Sequence, residues 1–198
     1  MLRTALELLF PAQCAGCRSI GRALCDRCAP RSEPTERITQ LLRVRALAEY
    51  DGAFRRAIRG LKDGRRDVAE ELGSRLARFV PHDATFVPVP TTAARRRVRG
   101  LDGVELIAQV AAERTNGTVL SALRCIGRDP QRGRTRAERL VARDRFVTAS
   151  AIVDGMTLVL VDDVCTTGTT LDDCARVLRA AGAHVTQAFV VAVANGRA

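Results

Sequence analysis

"VLVDDVCTTGTTL", Val159 to Leu171, is the stretch on which the fold turns. An aliphatic run ends on two adjacent carboxylates, Asp162 and Asp163. After Val164 and Cys165 come Thr166, Thr167, Gly168, Thr169 and Thr170. The run belongs to "MTLVLVDD", Met156 to Asp163, which reads as a fully buried strand stopping at the acidic pair. Leu171, Cys174, Ala175, Leu178 and Ala181 then recur at helical spacing, with Gly182 as a C-terminal stop. "HVTQAFVVAVA", His184 to Ala194, is apolar enough for the middle of a parallel sheet. Strand, helix and strand in this order predict a right-handed βαβ unit in an α/β fold.

In such a fold the loop after a central strand lies at the carboxyl edge of the sheet, where ligands bind. Thr166 to Thr170 lead into a helix N-terminus, whose unpaired N–H groups and positive dipole favour an anion. Gly168 allows close approach of the backbone, and the threonine hydroxyls add donors. This is the composition of a phosphate cradle. Asp162 and Asp163 repel a phosphate, but they can accept hydrogen bonds from sugar hydroxyls one step earlier. Together the two halves ask for a ribose carrying a 5′-phosphate. The plainer reading, a strand end and a helix cap, accounts for one Asp and one Thr and leaves the others idle. Neither G-x-x-x-x-G-K-[ST] nor G-x-G-x-x-G occurs, so the common nucleotide-binding loops do not compete.

Outward from this unit, "VRALAEYDG" (Val44 to Gly52) predicts a strand. Phe54, Ala57, Ile58 and Leu61 form one helical stripe; Val68, Leu72, Leu76 and Phe79 form a second. "TFVPVP" (Thr85 to Pro90) reads as a short buried strand, followed by the basic loop "TTAARRRVRG" (Thr91 to Gly100). A helix carrying Val104, Ile107, Ala108 and Ala111 comes next, and "TVLSALRC" (Thr118 to Cys125) predicts one strand. Residues 126–143 are polar and interrupted by Gly and Pro, which predicts a mobile loop passing into a partial helix.

At the other end, "CAGCRSIGRALCDRC" sets Cys14 and Cys17 in one C-x-x-C knuckle and Cys25 and Cys28 in a second. Four thiolates so spaced suit a tetrahedral, structural zinc with no open position; two disulfides or a redox dithiol are the alternatives. Arg18, Arg22 and Arg27 offset the negative charge of a tetrathiolate. Leu2, Leu6, Leu9 and Phe10 have helical spacing and predict a short docking helix ended by Pro11. "APRSEPTERITQ" (Ala29 to Gln40) reads as a linker. The expected division is therefore a helix and cysteine module over 1–30, a linker over 31–43 and the main domain over 44–198, whose core is expected to be separate from the module.

Composition narrows the partners. The 198 residues carry a net charge of +10, which favours anions: phosphorylated metabolites, nucleic acid or an acidic protein surface. Aromatics make up only 4%, with no Trp, which argues against an extended base-stacking surface. No apolar run has the length of a membrane span, and the N-terminus lacks a signal-peptide cleavage site. Unevenly spaced cysteines are no disulfide framework, so a cytoplasmic location is expected. Cys165 stands near a helix N-terminus, which can acidify a thiol, or it simply fills a variable slot.

Val159 to Leu171 closely resembles the phosphoribosyl pyrophosphate (PRPP) motif of type I phosphoribosyltransferases. The knuckles, "LKDGRRD", "VPVPTTAARRRVRG", "PQRGRTRAER" and the PRPP motif follow one another as in the ComF family, which the whole chain resembles. The resemblance implies a type I phosphoribosyltransferase-like parallel sheet flanked by helices behind a zinc ribbon. It also implies PRPP held with Mg²⁺, its ribose and 5′-phosphate at Asp162, Asp163, Thr166, Thr167, Gly168, Thr169 and Thr170. Thr91, Arg95, Arg96, Arg97, Arg99 and Gly100 would hold the pyrophosphate, and Arg139 would arrive on a closing loop as a catalytic residue. The bland alternative for the arginine stretch is a solvated basic face. Two positions depart from the family: Leu101-Asp102-Gly103 replaces the usual Phe-Asn-Gln, and no asparagine follows Glu138-Arg139.

Three functions follow from this reading. The first is transfer of phosphoribosyl with release of pyrophosphate, with a role linked to DNA uptake and competence. The second is a non-catalytic PRPP or nucleotide sensor, and the third an accessory that contacts single-stranded DNA or competence and recombination proteins.

Overall fold

A computed structural model describes residues 11–30, 33–91, 102–125, 146–148 and 152–194. The expected N-terminal helix, the arginine-rich loop with Arg95, Arg96, Arg97, Arg99 and Gly100, and the segment with Arg139 lie outside the described residues.

A six-stranded sheet forms the centre. It is built from β1 (Thr35–Ile38), β2 (Arg43–Glu49), β3 (Thr85–Pro88), β4 (Thr118–Val119), β7 (Thr157–Cys165) and β8 (His184–Val193). The order is β1-β2-β8-β7-β3-β4, parallel throughout except where β1 pairs antiparallel with β2 at one edge. β5 (Leu123–Cys125) and β6 (Phe146–Thr148) make a separate antiparallel pair. Helices α1 (Gly52–Lys62), α2 (Arg66–Leu76), α3 (Gly103–Arg114) and α4 (Thr169–Ala180) complete the described elements.

Strand alternation sorts the core onto two faces. Val159 and Val161 of β7 join a cluster with Ala57, Ile58 and Leu61 of α1, Leu72 of α2 and Ile107 of α3. Leu158 and Leu160 join the opposite cluster with Leu171, Cys174 and Leu178 of α4. Helices thus cover both sides of a mostly parallel sheet, as the α/β reading expects. No described helix is long and apolar enough to cross a membrane.

Four local readings differ from expectation. "TVLSALRC" is two strands in two sheets, because Leu120 to Ala122 break the extended run. The linker contains β1, whose Thr35 to Ile38 pair with Arg43 to Ala46. β7 does not stop at Asp162: it stays paired with β8 through Cys165, opposite Val193. Backbone pairing continues where side-chain polarity changes. The cysteine segment does not have its own core, since Cys14, Ala23, Leu24 and Ala29 are buried in the cluster of α1, α2 and α3.

Candidate functional site

β3 and β7 are neighbours in the sheet, and Val89 N–H donates to Val161 O at 2.8 Å just past the end of β3. The helix after β3, α3, packs on one face; the helix after β7, α4, packs on the other. Adjacent parallel strands whose connections leave to opposite faces open a crevice at their carboxyl ends, the usual ligand site of an open α/β sheet. Asp162, Asp163, Thr166 to Thr170 and Thr91 all stand at that edge.

Gly168 is the N-cap of α4, with φ 83° and ψ −6° in the left-handed region. A Cβ there would also lie 2.3 Å from Thr39 Cγ2, so a glycine is required on two counts. Thr166, Thr167 and Thr169 are exposed and Thr170 is half-buried. Thr167 Oγ1 lies 2.9 Å from Thr169 Oγ1 and accepts from Thr169 N–H at 3.4 Å. The first helical N–H groups and these hydroxyls together form a concave, donor-rich surface. Beside it an open cleft of about 500 Å³ is lined by Ile38, Thr39, Gln40, Thr167, Thr169, Asp172, Asp173 and Arg176.

Both carboxylates lie on β7 and are half-buried. Asp162 Oδ1 accepts from Asp163 N–H at 2.7 Å, and Asp163 Oδ2 is 3.2 Å from Lys62 Nζ of α1. Burial pushes the Asp162 carboxyl well above its ordinary value, and the adjacent charge of Asp163 adds to the rise. Lys62 opposes it. The site is an acidic pair tethered by one ammonium, three residues before a donor-rich loop. Chemically it can accept from a diol at one end and bind an anion at the other.

Sequence reasoning missed the frame of this loop. Arg37 of β1 donates to Thr166 O and, at 3.1 Å, to Ala194 O. Asp172, in the first turn of α4 and only 5% exposed, accepts from Thr39 Oγ1 at 2.6 Å, Leu41 N–H at 3.1 Å and Gln40 N–H at 3.3 Å. Arg179 at the far end of α4 holds Leu41 O at 2.8 Å. The β1–β2 hairpin is thereby fastened along α4 and over the loop. No local pattern pointed to it, because Asp172 meets Thr39, Gln40 and Leu41 only through the tertiary fold.

Cys165 ends β7 and is 2% exposed; burial raises its thiol pKa, so it is not an acidified thiol. The first departure from the family pattern has structural uses, and the second lies outside the described residues. Asp102 is the N-cap of α3 and accepts from Glu105 N–H at 3.3 Å. A Cβ on Gly103 would lie 2.5 Å from Leu61 Cδ1.

The four cysteine sulfurs lie within 4.8 Å of one another. Cys25 Sγ is 3.6 Å from Cys14 Sγ and 3.7 Å from Cys17 Sγ, far longer than a disulfide and close to the ~3.8 Å edge of a tetrahedron with ordinary zinc–thiolate bonds. All four are free thiols. Cys14 Sγ also accepts backbone N–H groups from Gly16 at 3.3 Å and Cys25 at 3.4 Å. Ser19 Oγ at 3.1 Å, with Arg27 beyond, lowers the Cys17 thiol to about 5, while burial and the neighbouring thiols push Cys28 up to about 12. Such a donor set can hold a metal.

An open α/β sheet with a threonine-glycine loop and an acidic pair at its switch point is the architecture of a phosphoribosyltransferase-like domain. The chain belongs to the phosphoribosyl transferase domain family, whose model matches residues 67–198. It is 29% identical over 93 residues to competence protein ComFC of Bacillus subtilis (strain 168), spanning 47% of this chain and 37% of that protein. The chain thus spans little more than a third of that curated relative, and the likeness bears out the ComF resemblance. Among solved structures, the glutamine PRPP amidotransferase from B. subtilis complexed with ADP and GMP is 23% identical, with a TM-score of 0.46. The match covers 63% of this chain and 27% of that one. The allosteric regulatory enzyme of purine biosynthesis is 25% identical, with a TM-score of 0.45, over 61% of this chain and 26% of that one.

Proposed function

We propose that this ComF-type protein binds PRPP and transfers its phosphoribosyl group to an acceptor, releasing pyrophosphate. The observation that carries the reading is the β7–α4 loop: left-handed Gly168 under exposed threonines, with Asp162 and Asp163 immediately upstream. Asp162 and Asp163 accept from the ribose hydroxyls. Thr166, Thr167, Gly168, Thr169 and Thr170 take the 5′-phosphate. Thr91 begins the pyrophosphate loop, continued by Arg95, Arg96, Arg97, Arg99 and Gly100, and Arg139 comes over the site. Mg²⁺ accompanies the phosphates of PRPP and offsets their charge. Fixed cations act most strongly where pyrophosphate charge develops on leaving. A structural zinc sits among Cys14, Cys17, Cys25 and Cys28, and four free thiols agree with a reducing, cytoplasmic setting.

The curated relative's name, competence protein, supports a role linked to DNA uptake. Incubation with PRPP, Mg²⁺ and a panel of nucleobases, assayed for pyrophosphate, tests the transfer. Acceptor-dependent pyrophosphate is expected. Tight PRPP binding with no product would leave the sensor reading instead, which the structural uses of Asp102 and Gly103 on the acceptor side favour.

A further inference from the structure

Lys62 is the one lysine among 32 lysines and arginines, and it reaches the acidic pair. It ends α1, where the exposed carbonyls of the last turn attract a cation. Ala57, Ile58 and Leu61 anchor that helix in the core, and Asp63 N–H closes its end on Arg59 O at 2.9 Å. From this fixed base Nζ lies 3.2 Å from Oδ2 of Asp163, whose side chain is 17% exposed against 39% for Lys62.

We propose that Lys62 is a positioning residue of the ribose site: its ammonium holds Oδ2 of Asp163, fixes the orientation of that carboxylate beside Asp162, and leaves Oδ1 to accept from a sugar hydroxyl. The inference rests on the ribose-phosphate reading above. An ammonium is a compact point charge that can take one carboxylate oxygen, whereas a guanidinium fork tends to take both. A chain that otherwise uses arginine throughout has the single-point cation where a carboxylate must keep an oxygen for a ligand.

The test titrates ribose 5-phosphate and inorganic phosphate separately into the full chain, as parent, Lys62→Met and Lys62→Arg. Inorganic phosphate has no ribose hydroxyls to present to the acidic pair, so its affinity reports the integrity of the fold and the phosphate-binding surfaces. Lys62→Met is expected to weaken ribose 5-phosphate by about tenfold or more, the worth of one charge-assisted hydrogen bond, with phosphate unchanged. Lys62→Arg keeps the charge and should still weaken the sugar phosphate several-fold. Parental affinity for ribose 5-phosphate in Lys62→Met overturns the proposal, and parental affinity in Lys62→Arg overturns the single-point argument. Equal loss of both ligands overturns it too, by marking a general structural role. A parent that binds phosphate but gains nothing from the ribose would bring down the ribose reading itself, and this proposal with it.

Discussion

Asp162 holds its proton more tightly than a free carboxyl, chiefly because it is buried and then because Asp163 lies beside it. A raised folded-state pKa contributes stability that is present below the ordinary value of 3.8 and lost as pH rises through the raised one. Ionising Asp162 in the unliganded protein therefore carries a cost that grows as pH rises, and a hydroxyl donor from a ligand relieves it. Asp162→Asn should raise the melting temperature of the unliganded protein around neutral pH, and the gain should shrink toward about pH 4, where the parent is protonated as well. Thermal melts across that range check it; an offset that does not change with pH would contradict the assignment. The placing of Asp162, Asp163 and the threonines where a buried strand gives way to a helix N-terminus was legible from residue chemistry alone, since the aliphatic run ends in carboxylates and a Thr-Gly loop. Lys62 was visible only as one residue of "LKDGRRD", with no role attached, because its partner is 101 positions away in sequence, at Asp163.

At the scale of elements, periodicity carried the α/β architecture. The stripes over α1, α2, α3 and α4 and the apolar runs of β3, β7 and β8 are strong local signals. β1 was not legible: Thr35-Glu36-Arg37-Ile38 has no apolar face, and what makes it a strand is its pairing with β2 and the hold of Arg37 and Thr39 on the loop and α4. Tertiary contacts, not propensity, define it. Asp172 is the fastening point, and an amide there would present a donor to donors. Asp172→Asn should cost about 1–3 kcal/mol of stability, as buried hydrogen-bond partners are lost. It should weaken inorganic phosphate and ribose 5-phosphate alike, since it loosens the whole cradle. Denaturant melts and paired titrations measure both; unchanged phosphate affinity would show that the hairpin does not frame the loop.

Across the whole molecule, the cysteine segment and the sheet domain are stitched by Arg75 of α2. This buried guanidinium donates to Ala29 O at 2.7 Å and Leu24 O at 2.8 Å, and pairs with Glu71 at 2.8 Å and Asp26 at 3.1 Å. Gly16 lies so close to α1 that a Cβ would come within 3.1 Å of Ala53. A shared core implies shared unfolding. Cys25→Ser should lower the melting temperature of the entire chain in one transition; two separate transitions would restore an independent module. Arg75→Met should cost on the order of 3 kcal/mol, from leaving two buried carbonyls without a donor. The central claim is that this molecule is organised around a ribose phosphate at the carboxyl ends of β3 and β7. Calorimetric titration of PRPP with Mg²⁺ into the parent, Asp163→Asn and Thr167→Val tests it most directly, with ribose 5-phosphate alongside. Asp163→Asn should lose about 1.5–3 kcal/mol of affinity for both ligands, the range for a hydrogen bond to a charged group, and Thr167→Val should weaken both through the 5′-phosphate. Parental affinity in both variants would contradict the account.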